Sequence, residues 1–356
     1  MIKLLHAADF HLDSSFSAHS PEQAALRRRE QRLVLEDLAK LCQGCDLVLL
    51  AGDLFDSARI YRDTIDALKR FFAAVKVPVF ISPGNHDCVT SGSPYLTEDW
   101  GENVHIFTKP TIERVHLSQL NCDVYGAGFL SPEQAPLLRG FRVADPSVTN
   151  LMVLHGDTQP NCPYNPICPS EIAASGLDYL ALGHVHRCCV EKSGATTYAF
   201  PGCLMGRGFD ECGQKGVLQV DVEKNHCKTN FLPLLTRKYE ILTIDVGEDA
   251  LAAIRSALPT DCRNDCYRLI LTGQSDGIDL TALQEALSGS FFSLSLRDKT
   301  LPKKELWAAV GEDTLRGYLL RELKEQYDGA DAPQQHKIAQ AARLITALMD
   351  GREVLH

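Results

Sequence analysis

Five short apolar runs in the N-terminal part of the chain each end at a cluster of Asp, Asn or His residues, and this repetition constrains the fold more than any other feature. Runs of Val, Ile, Leu and Ala bounded by glycine, proline or polar residues are typical of buried β-strands. They cover residues 2–8, 46–51, 78–82, 151–154 and 179–182. Open α/β sheets bind ligands beyond the carboxyl ends of their strands, so we expect the five clusters to meet at one rim.

The clusters supply carboxylates, one amide and several imidazoles, which suit Mn, Fe or Zn better than Mg. They are Asp9-Phe10-His11, Gly52-Asp53-Leu54-Phe55-Asp56, Gly84-Asn85-His86-Asp87, His155-Gly156-Asp157 and Gly183-His184-Val185-His186. Asp9 and His11 are two residues apart, so an extended backbone would place both on one face, and His184 and His186 repeat this spacing. Each cluster alone also fits an ordinary turn or strand end. Five of them in this order favour a metal site.

This ordered set resembles the calcineurin-like metallophosphoesterase superfamily. Within that superfamily the chain is most similar to the SbcD family of DNA repair exonuclease subunits, especially its YhaO-like branch. The similarity lies in residues 6–16 and in the stretch from Pro201-Gly202 through residues 206–211 to Lys215-Gly216. The resemblance covers residues 1 to about 235. It implies an α/β fold, a four-layer αββα sandwich in which two β-sheets pack between helical layers.

The resemblance also implies a ligand set for two divalent metal ions. Asp9, His11 and His186 would hold the first ion, and Asn85, His155 and His184 would hold the second. Asp53 would bridge the two, since a carboxylate can share its oxygens between ions. Mn²⁺ is the favoured metal, with Fe and Zn as alternatives. A water or hydroxide between the ions would attack phosphorus, because metal coordination lowers its pKa.

Four further residues receive roles from the same resemblance. His86 would help the leaving oxygen depart, and Asp87 would orient its imidazole. Asp56 and Arg207 would contact substrate, although Asp56 fits the N-cap of a following helix equally well. Phe55 stands where purple acid phosphatases carry a tyrosine ligand, and that difference disfavours those enzymes. Protein Ser/Thr phosphatases are disfavoured as well, because Asp87 stands where they carry Glu.

The length of 356 residues predicts two or three domains. We expect a nuclease domain at residues 1–236, a small αβ capping domain at 237–300 and a helical tail at 301–356. Residues 329–333 would link two tail helices, and Gly351 would end the second. The predicted apolar stripes of these helices are Leu315, Leu319 and Leu323, and Ile338, Ala342, Ile345 and Met349. The tail would either pack on its own domain or dock on a partner.

A net charge of −10 is unusual for a protein that binds DNA, because DNA affinity normally comes from Lys and Arg. The densest basic run, Arg27 to Arg29 with Arg32, is expected on a helix that begins with a capping box at Ser20. Solvent exposure and DNA contact both remain open for it. The thirteen cysteines lack the paired spacing of a zinc site and are expected to be reduced thiols. With no signal peptide or membrane-spanning run, the protein is expected to be cytoplasmic.

The resemblance implies a two-metal DNA phosphodiesterase, a 3′→5′ exonuclease with endonuclease activity in a DNA repair complex. Its expected partners are DNA and an SbcC-like coiled-coil ATPase, a homodimer is left open, and no membrane partner is expected. Two alternatives stand beside this hypothesis. One is a phosphodiesterase that acts on cyclic or dinucleotide substrates. The other is a scaffold protein that binds and regulates an SbcC-like ATPase.

Overall fold

The computed structural model describes residues 1–57, 59–275, 277–301 and 304–349. The chain divides into two compact units, Met1–Lys238 and Tyr239–His356. None of the described helices is both long and apolar enough to cross a membrane. All thirteen cysteines are free thiols.

The first unit is built from two mixed β-sheets. Its strands are β1 (Ile2–Ala7), β2 (Leu47–Leu50), β3 (Val79–Ile81), β4 (Val104–Ile106), β5 (Glu113–Leu117), β6 (Cys122–Gly126), β7 (Thr149–His155), β8 (Tyr179–Gly183), β9 (Cys189–Ser193), β10 (Thr196–Phe200), β11 (Gly216–Glu223) and β12 (His226–Pro233). One sheet has the order β12-β11-β1-β2-β3-β4, and the other has the order β5-β6-β7-β8-β10-β9. The five apolar runs therefore form strands of both sheets, as their sequences predict.

The helices of this unit are α1 (Pro21–Leu41), α2 (Arg62–Ala74), α3 (Pro94–Thr97) and α4 (Pro169–Ser175). Strand β1 explains how the layers form, because alternate side chains of a strand point to opposite faces. Leu5 and Ala7 pack with residues of α1 and α2, whereas Ile2 and Leu4 pack against the second sheet. The second sheet covers its other face with α4. The four-layer αββα sandwich is confirmed.

Helix α1 begins with the predicted capping box, in which Gln23 N donates to Ser20 Oγ and the Gln23 side chain reaches back to Ser20 N. Its basic run does not form one solvated face. Arg27 is fully buried, and its guanidinium donates to Glu30 Oε2 at 2.7 Å and to the carbonyl of Gly206 at 2.8 Å. Arg27 is therefore a structural residue, and the open question of DNA contact does not apply to it.

The second unit contains a three-stranded parallel sheet and several helices. The strands are β13 (Tyr239–Asp245), β14 (Cys266–Thr272) and β15 (Ser293–Asp298), in that order across the sheet. The helices are α5 (Ala250–Ala257), α6 (Leu280–Ala286), a 3₁₀ helix (Lys304–Gly311), α7 (Leu315–Asp328) and α8 (Ala332–Met349). The αβ pattern predicted for residues 239–296 is present, with bounds that differ by a few residues.

The two predicted apolar stripes are only partly buried: Ala342 is buried and Leu323 packs against the same cluster, whereas Leu315 and Met349 are exposed. Leu315 begins α7 and is 70% exposed, whereas Leu320 is buried and packs with Leu306 and Ala342. The predicted linker is also too long, because α8 already begins at Ala332. A proline is well tolerated at the start of a helix, where its missing N–H has no partner to lose. The prediction of a C-cap at Gly351 lies outside the described residues.

Candidate metal centre

The five motifs converge where strands of the two sheets end. Asp9, Asp53 and Asn85 follow β1, β2 and β3 of the first sheet. His155 is the last residue of β7, and His184 directly follows β8, in the second sheet. Parallel strands end at the same edge of a sheet, so both sheets deliver ligands to a shared rim.

The backbone at these motifs is not extended, which corrects the expectation for Asp9-Phe10-His11. Four of the residues adopt positive φ angles, at Asp9 (53°), His11 (44°), Asp53 (51°) and His184 (104°). Such conformations cost free energy in L-residues and persist where the surrounding structure enforces them. Here His11 N donates to the carbonyl of Asp53 at 2.9 Å. Four of the nine described positive-φ residues other than glycine therefore belong to the motifs that form the centre.

One group of side chains, which we call the first position, consists of Asp9, His11 and His186. Their donor atoms all lie within 4.8 Å of one another. The Nε2 atoms of His11 and His186 are 3.1 Å apart. The opposite ring nitrogens face carboxylates, since His186 Nδ1 lies 2.7 Å from Glu211 Oε1 and His11 Nδ1 lies 3.2 Å from Asp56 Oδ1. A negative carboxylate beside each Nδ1 favours the tautomer that carries its proton there, which leaves a lone pair on both Nε2 atoms.

A second group, which we call the second position, consists of Asn85, His155 and His184. His155 Nδ1 donates to the carbonyl of Ala51 at 2.9 Å, which leaves a lone pair on Nε2. That Nε2 lies 2.8 Å from Asn85 Oδ1, and His184 Nδ1 lies 3.2 Å from the same oxygen. Asn85 Oδ1 and His155 Nε2 are thus electron-pair donors without a proton between them, so they repel each other, and a cation beside them would relieve that repulsion.

Asp53 lies between the two positions. Its Oδ2 is 3.7 Å from His11 Nε2 and 3.5 Å from His155 Nε2. Its Oδ1 accepts a hydrogen bond from the backbone N–H of His86 at 2.9 Å. One oxygen of Asp53 thus lies near an imidazole nitrogen of each position, so this carboxylate could ligate a cation at either one. The residues present therefore fit two oxygen- and nitrogen-ligated divalent cations.

Burial favours the neutral forms of the ionisable groups in the centre. It lowers the pKa of His11, His155 and His184 to about 4, so these imidazoles are neutral at neutral pH. Burial, together with the nearby Asp53 charge, raises the pKa of Asp9 well above its usual range. Two buried carboxylates repel each other, and a divalent cation would relieve this repulsion.

Glycine is required where the chain passes the centre. A Cβ on Gly84 would lie 2.8 Å from His155 Nδ1 and would also clash with the Asp53 carboxylate. Gly52 has a φ of 85°, and a Cβ there would lie 2.6 Å from His155 Nδ1. No side chain fits at either position, so the backbone itself forms the wall of the centre.

Comparison with known proteins agrees with this geometry. Residues 2–188 match the family of calcineurin-like phosphoesterases. The chain belongs to this family. It is a metallophosphoesterase, a phosphoester hydrolase of a family that binds divalent metals.

Three curated relatives are similar to the chain over much of its length. The Bacillus subtilis protein named uncharacterized metallophosphoesterase YhaO is 30% identical over 69% of this chain. The DNA double-strand break repair protein Mre11 of Aeropyrum pernix is 26% identical over 70% of this chain, and a protein of B. subtilis named as part of the nuclease SbcCD is 26% identical over 62%. The matches cover 64%, 64% and 66% of those proteins, so the phosphoesterase spans less than two thirds of their length.

His86 lies at the edge of the metal centre, where its ring is exposed. Its Nδ1 is 3.1 Å from the carbonyl oxygen of Asp56, and its ring packs edge-on against His11. One of its ring nitrogens is also within 4.8 Å of donor atoms of His11 and Asp53. The carbonyl of Asp56 therefore orients this imidazole in the phosphoesterase.

Asp87 has a different task from the one expected. Its carboxylate accepts hydrogen bonds from Gly84 N at 2.7 Å, Leu54 N at 2.6 Å and the Tyr95 hydroxyl at 2.6 Å. The expectation that Asp87 orients the His86 imidazole does not hold in this structure, because His86 Nδ1 lies against the carbonyl of Asp56 and the Asp87 carboxylate accepts from these other groups. Asp87 instead ties together the two loops that carry Asp53 and Asn85.

Asp56 and Arg207 both lie beside the first position. The alternative of a helix N-cap at Asp56 is wrong, because α2 begins at Arg62 and its N-cap is Tyr61. Arg207 donates to Asp56 Oδ1 at 2.9 Å and to Glu211 Oε1 at 2.6 Å. Burial would raise the pKa of Glu211, but the hydrogen bonds from His186 and Arg207 outweigh it and hold that pKa far below its usual range.

Sequence reasoning missed Glu211 and Cys162. Glu211 falls within the similar stretch 206–211 without a predicted role, although a carboxylate partner for a ligand histidine is a common need of metal sites. Cys162 Sγ lies 4.0 Å from His184 Nε2, and Asp157 joins these two in a third compact group. The spacing of Cys162 in the sequence gives no signal for this contact.

Proposed function

We propose that this phosphoesterase is a DNA phosphodiesterase that uses two divalent ions, and that it acts as a 3′→5′ exonuclease with endonuclease activity. The observation that carries the proposal is the placement of Asp53 Oδ2 within 3.7 Å of one imidazole nitrogen of each position. Asp9, His11 and His186 would hold one ion and Asn85, His155 and His184 the other, and the ions would supply positive charge for the phosphate and lower the pKa of an attacking water. The role of the chain is to hold both positions open towards solvent on the His86 side.

His86 acts on the leaving oxygen in this proposal. The contact of Nδ1 with the carbonyl of Asp56 places a proton on that nitrogen and leaves Nε2 as the end that meets substrate. A protonated His86 can give its Nε2 proton to the departing 3′ oxygen as the P–O bond breaks. General acid assistance of this kind contributes about 10²–10⁴-fold in rate. Exposure of the ring lets a long polymer reach it.

DNA is the proposed substrate because one relative is named for DNA double-strand break repair and another is named as part of a nuclease. The net charge of −10 opposes long-range attraction of a polyanion. We therefore expect weak DNA binding by the isolated chain. Mn²⁺ is the proposed metal, because mixed carboxylate, amide and imidazole ligands suit it, and Fe and Zn suit them as well.

An SbcC-like ATPase is the proposed partner, and the cytoplasm is the proposed location. One relative is named as a subunit of the nuclease SbcCD, so that relative is one component of a larger nuclease. Residues 237–300 are proposed to cap the nuclease domain, and residues 301–356 are proposed to dock on the ATPase. Support for docking comes from apolar side chains exposed on α7 and α8, namely Leu315, Tyr318, Leu344 and Leu348.

The substrate test compares 3′- and 5′-labelled single- and double-stranded DNA with bis-p-nitrophenyl phosphate, each with Mn²⁺ and with chelator. We expect metal-dependent shortening of DNA from its 3′ end and hydrolysis of the small diester. Asp53→Asn is the control for contaminating nucleases and should be inactive on both. Hydrolysis of the small diester without DNA cleavage would favour the small-molecule alternative, and inactivity on both would favour the scaffold alternative.

The partner test uses a double substitution, Leu344→Ser with Leu348→Ser, in the full chain. Both side chains are exposed, so hydrolysis of the small diester should be unchanged while co-purification with an SbcC-like ATPase is lost. Leu130→Ser is the matched control, since Leu130 is an exposed leucine of the first unit. Undiminished co-purification of the double variant would reject docking through α8.

A further inference from the structure

Arg207 is the centre of a closed ring of polar contacts that begins and ends at the first position. Its guanidinium donates from Nη1 to Asp56 at 2.9 Å and from Nη2 to Glu211 at 2.6 Å. Asp56 lies 3.2 Å from His11 Nδ1, and Glu211 lies 2.7 Å from His186 Nδ1. The two Nε2 atoms close the ring at 3.1 Å. One arginine thus links the supports of both imidazoles, and its Nη2 also lies 3.2 Å from His186 Nδ1.

The segment that carries Arg207 is itself fixed. Arg207 N donates to Glu211 Oε2 at 2.8 Å, so one carboxylate holds both the backbone and the side chain of Arg207. The buried guanidinium of Arg27 donates to the carbonyl of Gly206 at 2.8 Å, which ties this segment to helix α1. The ring is therefore anchored to the core of the first unit.

The second position has a support of another kind. His155 Nδ1 donates to the backbone carbonyl of Ala51, which a side-chain substitution does not remove. The two positions share Asp53 but differ in what holds their histidines. A change at Arg207 should therefore act on one position and leave the other unchanged.

We propose that Arg207 is a positioning residue that sets the affinity of the first position for its divalent cation. It does so by bridging Asp56 and Glu211, which fix the orientation of His11 and His186. The proposal rests on the two-metal function proposed above, and it gives Arg207 a role other than contact with substrate. The guanidinium already uses Nε, Nη1 and Nη2 in bonds to protein, and its side chain is only 21% exposed.

If Arg207 is removed, the loss of its charge and the loss of its positioning role change the cation affinity in opposite directions. Removal of a positive charge beside a cation site strengthens cation binding, by Coulomb's law. Loss of an outer partner of a metal-ligating histidine weakens binding, typically by about 10–100-fold. The sign of the change in affinity therefore distinguishes the proposed role from a simple effect of charge.

The experiment measures Mn²⁺ binding to the full chain by calorimetry and by low-temperature EPR. The wild type should bind two ions and show an exchange-coupled spectrum. Arg207→Ala should bind one ion normally and the other about 10–100-fold more weakly, with an uncoupled six-line signal at one equivalent. Arg207→Lys should show the same weaker binding of one ion, because a single ammonium group cannot hydrogen-bond to Asp56 and Glu211 with the geometry of a planar guanidinium.

Arg187→Ala is the matched control. Arg187 is exposed and adjoins His186, so its removal changes the charge equally without touching the ring. We expect this variant to bind both ions at least as tightly as the wild type. Equal or tighter binding of both ions by Arg207→Ala, or full recovery by Arg207→Lys, would overturn the positioning role.

Asp210→Asn controls for the loss of a negative charge, because Asp210 is exposed and takes no part in the ring. If Arg207→Ala does not fold, the variant to compare with this control is Glu211→Gln. It preserves the shape of the side chain and an oxygen for His186, but it loses the charge that pairs with Arg207. We expect the same selective loss at the first position, and unchanged binding of both ions would again overturn the proposal. If the wild type does not bind two ions, the proposed function is contradicted. If the wild type binds two ions and the variants bind them with the same affinities, only the positioning role of Arg207 is contradicted.

Discussion

Asn85 Oδ1 and His155 Nε2 lie 2.8 Å apart, and both are electron-pair donors. The proton of His155 is placed on Nδ1 by the carbonyl of Ala51, so no hydrogen bond joins the pair. Such a contact is unfavourable in a buried site unless a cation lies between the atoms. The facing Nε2 atoms of the first position repel each other for the same reason. The centre is thus built for cations, and the predictions below depend on that property.

His86→Ala separates metal binding from chemistry. We expect the variant to retain both ions, because the ligand groups of both positions remain. Its rate on a phosphodiester should fall by about 10²–10⁴-fold through loss of general acid assistance. Elemental analysis and steady-state kinetics on the same preparation check this. Loss of an ion from this variant would instead make His86 a ligand.

Gly84→Ala should abolish metal binding, because its Cβ would lie 2.8 Å from His155 Nδ1 and against the Asp53 carboxylate. Gly92→Ala is the matched control, since a Cβ there meets nothing within 4 Å. Mn²⁺ titration of both variants checks the prediction. Normal metal binding by Gly84→Ala would mean that the loop can move away from the centre.

Tyr95→Phe tests the structural role of Asp87. The Tyr95 hydroxyl donates to the buried Asp87 carboxylate at 2.6 Å, and a hydrogen bond to a charged group contributes about 1.5–3 kcal/mol. We expect the free energy of unfolding to fall by about that amount, with both ions retained. Urea unfolding is the measurement, with the exposed Tyr61→Phe as control. Equal stability of the two variants would show that Asp87 does not depend on Tyr95.

The stability of the metal-free protein should depend on pH. Burial lowers the pKa of His11, His155 and His184 from 6.5 to about 4, so the unfolded state binds more protons between these values. The free energy of unfolding should therefore fall as the pH is lowered from 6.5 to 4. Urea unfolding of chelator-treated protein checks this, and His11→Asn should show a shallower dependence. The raised pKa of Asp9 acts in the opposite direction, so the comparison of the two slopes is the test, and equal slopes would contradict the burial of His11 as a neutral group.

The strands that precede the five motifs could be predicted because their signals are local. Apolar runs with bounding glycines define β1, β2, β3, β7 and β8 within a few residues. The capping box at Ser20 likewise depends on only four residues. Where a short window of sequence contains the whole physical cause, pattern and structure agree.

The remaining features depend on contacts between distant segments. Arg27 belongs to a basic run typical of a surface, yet its partner Gly206 lies 179 residues away. Asp87 adjoins His86 in sequence, but Leu54 and Tyr95 donate to its carboxylate. Periodicity alone also predicts a buried Leu315, whereas the packing of α7 on the 3₁₀ helix and α8 buries Leu320. In each case the contact that decides the residue's environment comes from a residue that does not adjoin it in the sequence.

The central claim is that two cations bind on either side of Asp53. Anomalous diffraction at the manganese edge, from crystals equilibrated with Mn²⁺, tests it most directly. We expect two peaks about 3.5–4 Å apart, one near His11 and His186 and one near His155 and Asn85, with Asp53 between them. A single peak, or two peaks that do not share Asp53, would contradict it.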